Sequence, residues 1–242
     1  MEFGLVGEIN PIESISFQKF FLTFDIDWAS DEVLEYSIGL LERANVKATW
    51  FVTHKTPLLE RLRGNPLFEL GIHPNFNPLL EGDFSYGRDY KEVLRYFLDI
   101  VPEAKTMRSH CLGISSRILS EAKKLGITHE SNLCIPMMAH NSSGGGGFLQ
   151  PYENWEGLIR CPYHWADDVA CMYKNKIKTS KIAKNSYLMF GFHPIHIFLN
   201  TEVLSRYESA RGYFQDYNLL RQYQGDSPNG SCALLGRLLE LQ

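Results

Sequence analysis

Two carboxylates, Asp25 and Asp27, stand in the segment TFDIDWAS, Thr23 to Ser30, directly behind the apolar run Phe20-Phe21-Leu22. Acids at the end of a buried strand must reach water, pair with a cation or hold a metal, because an isolated buried carboxylate is too costly. The same placement recurs along the chain. His73 follows the run Leu67 to Ile72, Arg108 and His110 follow Lys105-Thr106-Met107, and His193 follows Tyr187 to Phe192. Acids, imidazoles and a guanidinium delivered by separate strand ends read as one site, whose members pair with one another or bind a metal ion.

These groups need elements to carry them. Phe17 to Phe24 predicts a strand, followed by a helix that starts at Ser30, Asp31 and Glu32 and repeats Val33, Leu34, Ile38 and Leu41 at helical spacing. Lys47 to Thr53 predicts the next strand, and a short helix from Thr56 is expected to end at Gly64 as its C-cap. After Leu67 to Ile72 a helix is predicted over about Asp89 to Ile100, with Val93, Leu94, Phe97 and Leu98 on one face. Ser115 is expected to cap a helix closed by Gly126, ahead of a strand near Ile127 to His129. Strands that alternate with helices imply a parallel sheet and an α/β fold, and in a β/α barrel the C-terminal strand ends are where active sites are built. Later in the chain, Tyr187 to Phe192 predicts a strand. Thr201 or Glu202 is expected to open a long amphipathic helix containing Val203, Leu204 and Tyr207, and Ser231 to cap a final helix with Leu234, Leu235, Leu238 and Leu239. NSSGGGGF, Asn141 to Phe148, reads as a surface loop, with a lid as the alternative.

A chain of 242 residues that is 44% hydrophobic is long enough for a sizeable core, and one catalytic domain over residues 1–242 is expected. The formal net charge of -4 and the absence of a Lys/Arg cluster leave no electrostatic footprint for nucleic acid. No run is long enough to span a bilayer, and the first residues lack a basic region followed by an apolar core, so a cytoplasmic location is expected. The five cysteines are odd in number and form no C-x-x-C pair, which fits free thiols in a reducing compartment.

From Phe17 to Asn200 the sequence resembles the polysaccharide deacetylase superfamily, the NodB-homology or carbohydrate esterase family four group. LTFDID resembles the family's T-F-D-D motif, KATWFVT its A-T-F-F-V strand and ELGIHPNFN its E-[IL]-G-x-H segment; MRSH stands at R-x-P-[YW], while HWADD and FGFHP resemble the later motifs. RSH, GIHPNFNP and FHPIHIFLN resemble the WbmS-type branch, which is associated with bacterial surface-polysaccharide genes. The resemblance implies an irregular (β/α) barrel of about seven strands, a variant of the eightfold barrel. It implies a metal-dependent hydrolase that removes an N-acetyl group from an N-acetylated sugar or glycan of a surface polysaccharide or its precursor. By resemblance Asp25 is the general base, Arg108 orients it, His193 is the acid that protonates the leaving amine, and Asp27 and His73 hold one divalent ion, Zn2+ being the first expectation.

The sequence departs from the family where H-x-x-x-H is expected, because Asn77 stands at the second histidine's position. His110, beside Arg108, is expected to complete the metal set, with His54, Asn77 and Cys111 as alternatives. Asp168, or its neighbour Asp167, is expected to hydrogen-bond the catalytic histidine, and the choice here is Asp168; His196 is the alternative to His193. Asp25 has a plainer reading as a structural partner of Arg108. Trp155, Trp165, Tyr163 and Phe76 are read either as sugar-stacking rings or as core, and His129, His140 and His164 carry no separable signal. Two other functions stay open at this point. One is hydrolysis of a different non-peptide C–N bond, and the other is a non-catalytic carbohydrate-binding role.

Overall fold

The computed structural model describes residues 2–13, 19–136, 149–173 and 187–241. In chain order the described strands are β1 (Phe3–Gly4), β2 (Phe20–Asp25), β3 (Ala48–Val52), β4 (Phe68–Ile72), β5 (Thr106–Met107), β6 (His129–Glu130), β7 (Tyr152–Glu153), β8 (Ile159–Arg160), β9 (Trp165–Ala166) and β10 (Leu188–Phe192). They form one sheet in the order β7-β8-β6-β5-β4-β3-β2-β10-β9, with β1 added beside β2. Every pair is parallel except β7 with β8. The path has two free ends among the described residues, so the curled sheet is an irregular (β/α) half-barrel. It holds more strands than the sequence indicates because β1, β7, β8 and β9 are two-residue segments too short to show a period.

All six residues of β2 are buried, as a strand covered on both faces requires. Phe24 on β2 stacks on Trp50 of β3 at 4.4 Å and on Phe192 of β10 at 5.7 Å, which locks the three long central strands together. Gly71 on β4 allows β5 to come close, since a Cβ there would lie 2.8 Å from the Thr106 carbonyl oxygen.

The described helices are α1 (Asp31–Ala44), α2 (Leu59–Gly64), α3 (Asn77–Leu80), α4 (Tyr90–Leu98), α5 (Ser116–Lys124), α6 (Asp167–Tyr173), α7 (Pro194–Leu199), α8 (Leu204–Ala210), α9 (Tyr217–Leu220) and α10 (Ser231–Leu239). Asp89 caps α4 by accepting from the Lys91 and Glu92 amides, and Ser115 caps α5 by accepting from Ile118.

Several helix ends differ from expectation. Gly64 is the last residue of α2 and is followed by extended Asn65, so no left-handed glycine cap forms there. Thr201 and Glu202 do not open a long helix; α8 starts at Leu204 and gives way at Arg211 to a 3-10 turn over Arg211–Tyr213. Ser231 lies inside α10 behind the cap residue Gly230 and donates its hydroxyl to the Thr201 carbonyl. The loop reading of Asn141 to Phe148, His140, and the start of the first predicted strand at Phe17 lie outside the described residues.

Candidate active site

Each of the strand ends named above opens on one cleft of about 420 Å³. Asp25 closes β2 and Asp27 follows it; His73 follows β4, Arg108 follows β5, and His193 follows β10 as the N-cap residue of α7, with Pro194 in its first turn. The ladders continue past the strands, because the His73 amide donates to the Val52 carbonyl at 2.9 Å and the Arg108 amide to Ile72 at 3.1 Å. Both side chains are therefore aimed by backbone hydrogen bonds as well as by packing.

Asp27, His73 and His110 form the first cluster. Asp27 Oδ2 lies 3.1 Å from His73 Nε2 and 3.1 Å from His110 Nδ1. Burial pushes the Asp27 carboxyl up, but the two imidazoles outweigh it and hold the group well below the usual carboxylate range. For His73, burial works against the charged form and the Asp27 and Asp25 carboxylates overcome it, so its pKa is raised. One carboxylate oxygen and two imidazole nitrogens that converge within 4.8 Å suit a zinc-like divalent ion. Of the alternatives, His54 spends its Nδ1 on the Thr53 hydroxyl at 2.7 Å, and Asn77 contacts Cys111 Sγ at 3.5 Å. The structure brings His110, and none of these, to Asp27. The turn that places His110 is strained, since Cys111 and Leu112 both have left-handed backbones, with φ of 51° and 56°.

Asp25 and Arg108 form the centre. Arg108 is 1% exposed, and its charge is satisfied from several sides. Nη1 donates to Asp25 Oδ1 at 3.1 Å, Nη2 to Ser131 Oγ at 3.0 Å and Nε to the Ser131 carbonyl at 3.2 Å. The guanidinium also lies against the Phe51 and Tyr163 rings at 4.7 and 4.3 Å.

His193 is held by Asp167, and this corrects the choice of Asp168. Asp167 Oδ1 accepts from His193 Nδ1 at 2.7 Å and Oδ2 accepts from the His193 amide at 2.7 Å. Asp168, one position further round the first turn of α6, turns its Oδ1 to the Val169 amide and lines the cleft. Burial disfavours the His193 imidazolium, yet the Asp167 carboxylate dominates and the pKa is pushed up to about 10. Nε2 of His193 faces Asp25 Oδ2 at 3.9 Å. His196, the alternative, stacks on Tyr207 at 4.8 Å and is not a lining residue of the cleft.

Among the aromatic candidates, Trp165 and Phe76 are core, Trp155 is fully exposed, and Tyr163 lines the cleft against Arg108. Sequence reasoning missed Trp28. This ring, 39% exposed, stacks on His193 at 5.3 Å and meets His110 edge-on at 5.8 Å. Its position directly after Asp27 was the available signal; its left-handed backbone, φ of 58°, was not foreseeable from composition.

A family model described as WbmS-like polysaccharide deacetylase matches residues 22–211. The chain is similar to a solved protein from Bordetella bronchiseptica, WbmS, described as a candidate polysaccharide deacetylase involved in O-antigen biosynthesis. The two share 39% identity over 99% of this chain and 98% of that one, with a TM-score of 0.90. A Mycobacterium smegmatis protein of the same general description shares 15% identity over 72% and 76% of the two chains, with a TM-score of 0.47. A family 4 carbohydrate esterase from Streptomyces lividans shares 15% over 72% and 78%, with a TM-score of 0.43; both are too distant to bear on the chemistry. None of the curated proteins compared with the chain matches it.

Proposed function

The chain belongs to the WbmS-like polysaccharide deacetylases, and on that premise we propose that it is a metal-dependent hydrolase that removes the acetyl group from an N-acetylated sugar in a surface-polysaccharide precursor. The observation that carries the reading is the pair Asp25 and His193, facing each other at 3.9 Å beside the Asp27–His73–His110 donor set.

Asp27, His73 and His110 would hold the ion, zinc before others for its preference for nitrogen donors. When bound, such an ion supplies Lewis-acid polarisation and lowers the pKa of water. The chain's own groups do the rest. Asp25, fixed by Arg108 through Oδ1, keeps Oδ2 free to take the proton of water as it attacks the acyl carbon. His193, which Asp167 keeps protonated through neutral pH, delivers its proton to the departing nitrogen. The amide C–N bond breaks, and acetate and the free amine leave. Trp28, exposed above His193, offers an apolar face to the sugar ring.

The site of action is proposed to be cytoplasmic, a reading supported by the five free thiols. Acetate release from N-acetylated sugars and sugar nucleotides tests the function. Turnover lost by about 10³-fold or more in Asp25→Asn, with the metal retained, is the expected result. No release from any such substrate by the metal-loaded wild type would overturn it.

A further inference from the structure

Most of the charged groups that line the cleft are paired. Asp25 accepts from Arg108, Asp27 faces His73 and His110, and His193 is held by Asp167. Two lining charges are left over among the described residues, Asp168 and Arg211. Arg211 is exposed, and a guanidinium that stays in water carries no penalty. Asp168 differs, because it is half-buried beside the Asp167 carboxylate and makes no ion pair among the described residues. A partly desolvated acid next to a like charge is disfavoured, and a neutral polar residue at the same place would avoid that cost.

The Asp168 backbone is fixed at the start of α6. Its amide donates to Asp167 Oδ1 at 2.9 Å, and its carbonyl accepts from Cys171 Sγ at 3.1 Å. Of the carboxylate, Oδ1 accepts from the Val169 amide at 2.7 Å, while Oδ2 has no partner among the described residues and stays accessible from the cleft. The Asp168 charge is felt at His193, Tyr163 and Tyr207, which sets it in the same wall as the proton donor and the two cleft tyrosines. Tyr207 in turn meets Trp28 edge-on at 6.1 Å, and Trp28 stacks on His193. A bare acceptor therefore adjoins an aromatic wall, a combination that receives the hydroxyl edge and the C–H face of a sugar ring.

We propose that Asp168 is a specificity-determining residue whose Oδ2 accepts from the sugar hydroxyl on the carbon next to the acylamino group, so that the cleft takes N-acyl sugars in which that hydroxyl is free. His193 delivers its proton to the departing nitrogen, so that nitrogen sits at Nε2, and in a pyranose the neighbouring hydroxyl lies at its side. An ionised carboxylate can only accept, which suits it to a hydroxyl and not to the acyl oxygen. The inference rests on the deacetylase reading, and the experiment below separates the two.

The experiment compares wild type, Asp168→Ala and Asp168→Asn, all metal-loaded, on the methyl glycoside of N-acetylglucosamine and on its 3-deoxy analogue, by acetate release, metal content and pH profile. Wild type should prefer the hydroxylated glycoside by about 10- to 100-fold in kcat/KM. In Asp168→Ala that ratio should fall to within about threefold, because only the hydroxylated substrate loses, and Asp168→Asn should lie between. A ratio of two substrates on one enzyme sample does not depend on how much of the chain is folded, and metal content should be unchanged. Equal losses on both glycosides, with the alkaline limb displaced, would mean that Asp168 acts through His193 and would overturn the proposal, as would a wild-type ratio near one. If wild type releases no acetate from either glycoside, calorimetric binding of the pair decides: a preference for the hydroxylated one that disappears in Asp168→Ala sustains the role of Asp168, and an equal or absent affinity overturns it. The deacetylase reading itself stands or falls on the wider set of acetylated sugars.

Discussion

Two groups of one aspartate and two histidines lie on the same rim, Asp27–His73–His110 and Asp167–His193–His196, and both pack donor atoms within 4.8 Å of one another. Their residue types are identical and their hydrogen bonding differs. In the first, a single oxygen, Asp27 Oδ2, is shared by two imidazole nitrogens, and all three residues line the cleft. Two N–H groups converging on one oxygen can be exchanged for one cation at the same place. In the second, both Asp167 oxygens accept from one histidine, Oδ1 from its ring and Oδ2 from its amide, Oδ1 also accepting from the Asp168 amide, and His196 turns to Tyr207. That geometry retains a proton. Composition and proximity alone do not separate a metal centre from a proton-holding pair; the distribution of lone pairs does.

The largest effect expected from breaking this contrast is in the first group. Asp27→Asn or His110→Ala should abolish stoichiometric zinc binding, measured as metal per chain, and reduce acetate release to background; full metal retention in both would assign the ion to other ligands.

Next is Asp167→Asn, which should keep its metal and lose about 10²- to 10⁴-fold in kcat. The sign of its pH effect follows from the shift. His193 is protonated in the folded enzyme up to about pH 10, so the wild-type kcat/KM profile should hold on its alkaline side until that region. Without the Asp167 carboxylate the burial penalty remains, and the alkaline limb should move toward or below an ordinary histidine value near 6.5. The stability linkage has the same direction: the raised pKa contributes fully below about pH 6.5 and is lost as pH rises through the folded value. An alkaline limb that does not move would remove His193 from the acid role.

The smallest effect belongs to His196. Its Nδ1 has no hydrogen-bond partner among the described residues, and its ring stacks on Tyr207 and meets His193 edge-on at 5.7 Å. His196→Phe should retain metal and activity, with stability altered by about 1.5 kcal/mol or less. Metal loss in this variant would make the second group a metal site after all.

Much of the frame was legible because it is local. The alternation of apolar runs with amphipathic segments marks β2 to β5 and α1, α4 and α5, and capping residues such as Asp89 and Ser115 declare themselves by type. The two-residue strands β7, β8 and β9 were not legible, since two positions carry no period. Trp28 was overlooked because an aromatic after two acids has no pattern of its own, and only its left-handed backbone turns the ring over His193.

The sequence by itself determined which residue types end the strands: Asp25, Asp27, His73, Arg108, His110 and His193 all follow predicted strands, and burial makes such placements costly unless they serve one another. Only the tertiary structure decided the partners. Asp167 and Asp168 are adjacent and chemically equal, but successive residues at the start of a helix point about 100° apart, so one reaches His193 and the other faces the cleft. Ser109 and Ser131 are likewise alike in sequence, and which hydroxyl is left free depends on what β6 and β10 bring against it. Hydrogen bonds are directional and short, so their pairing is settled by the angles at which folded elements meet.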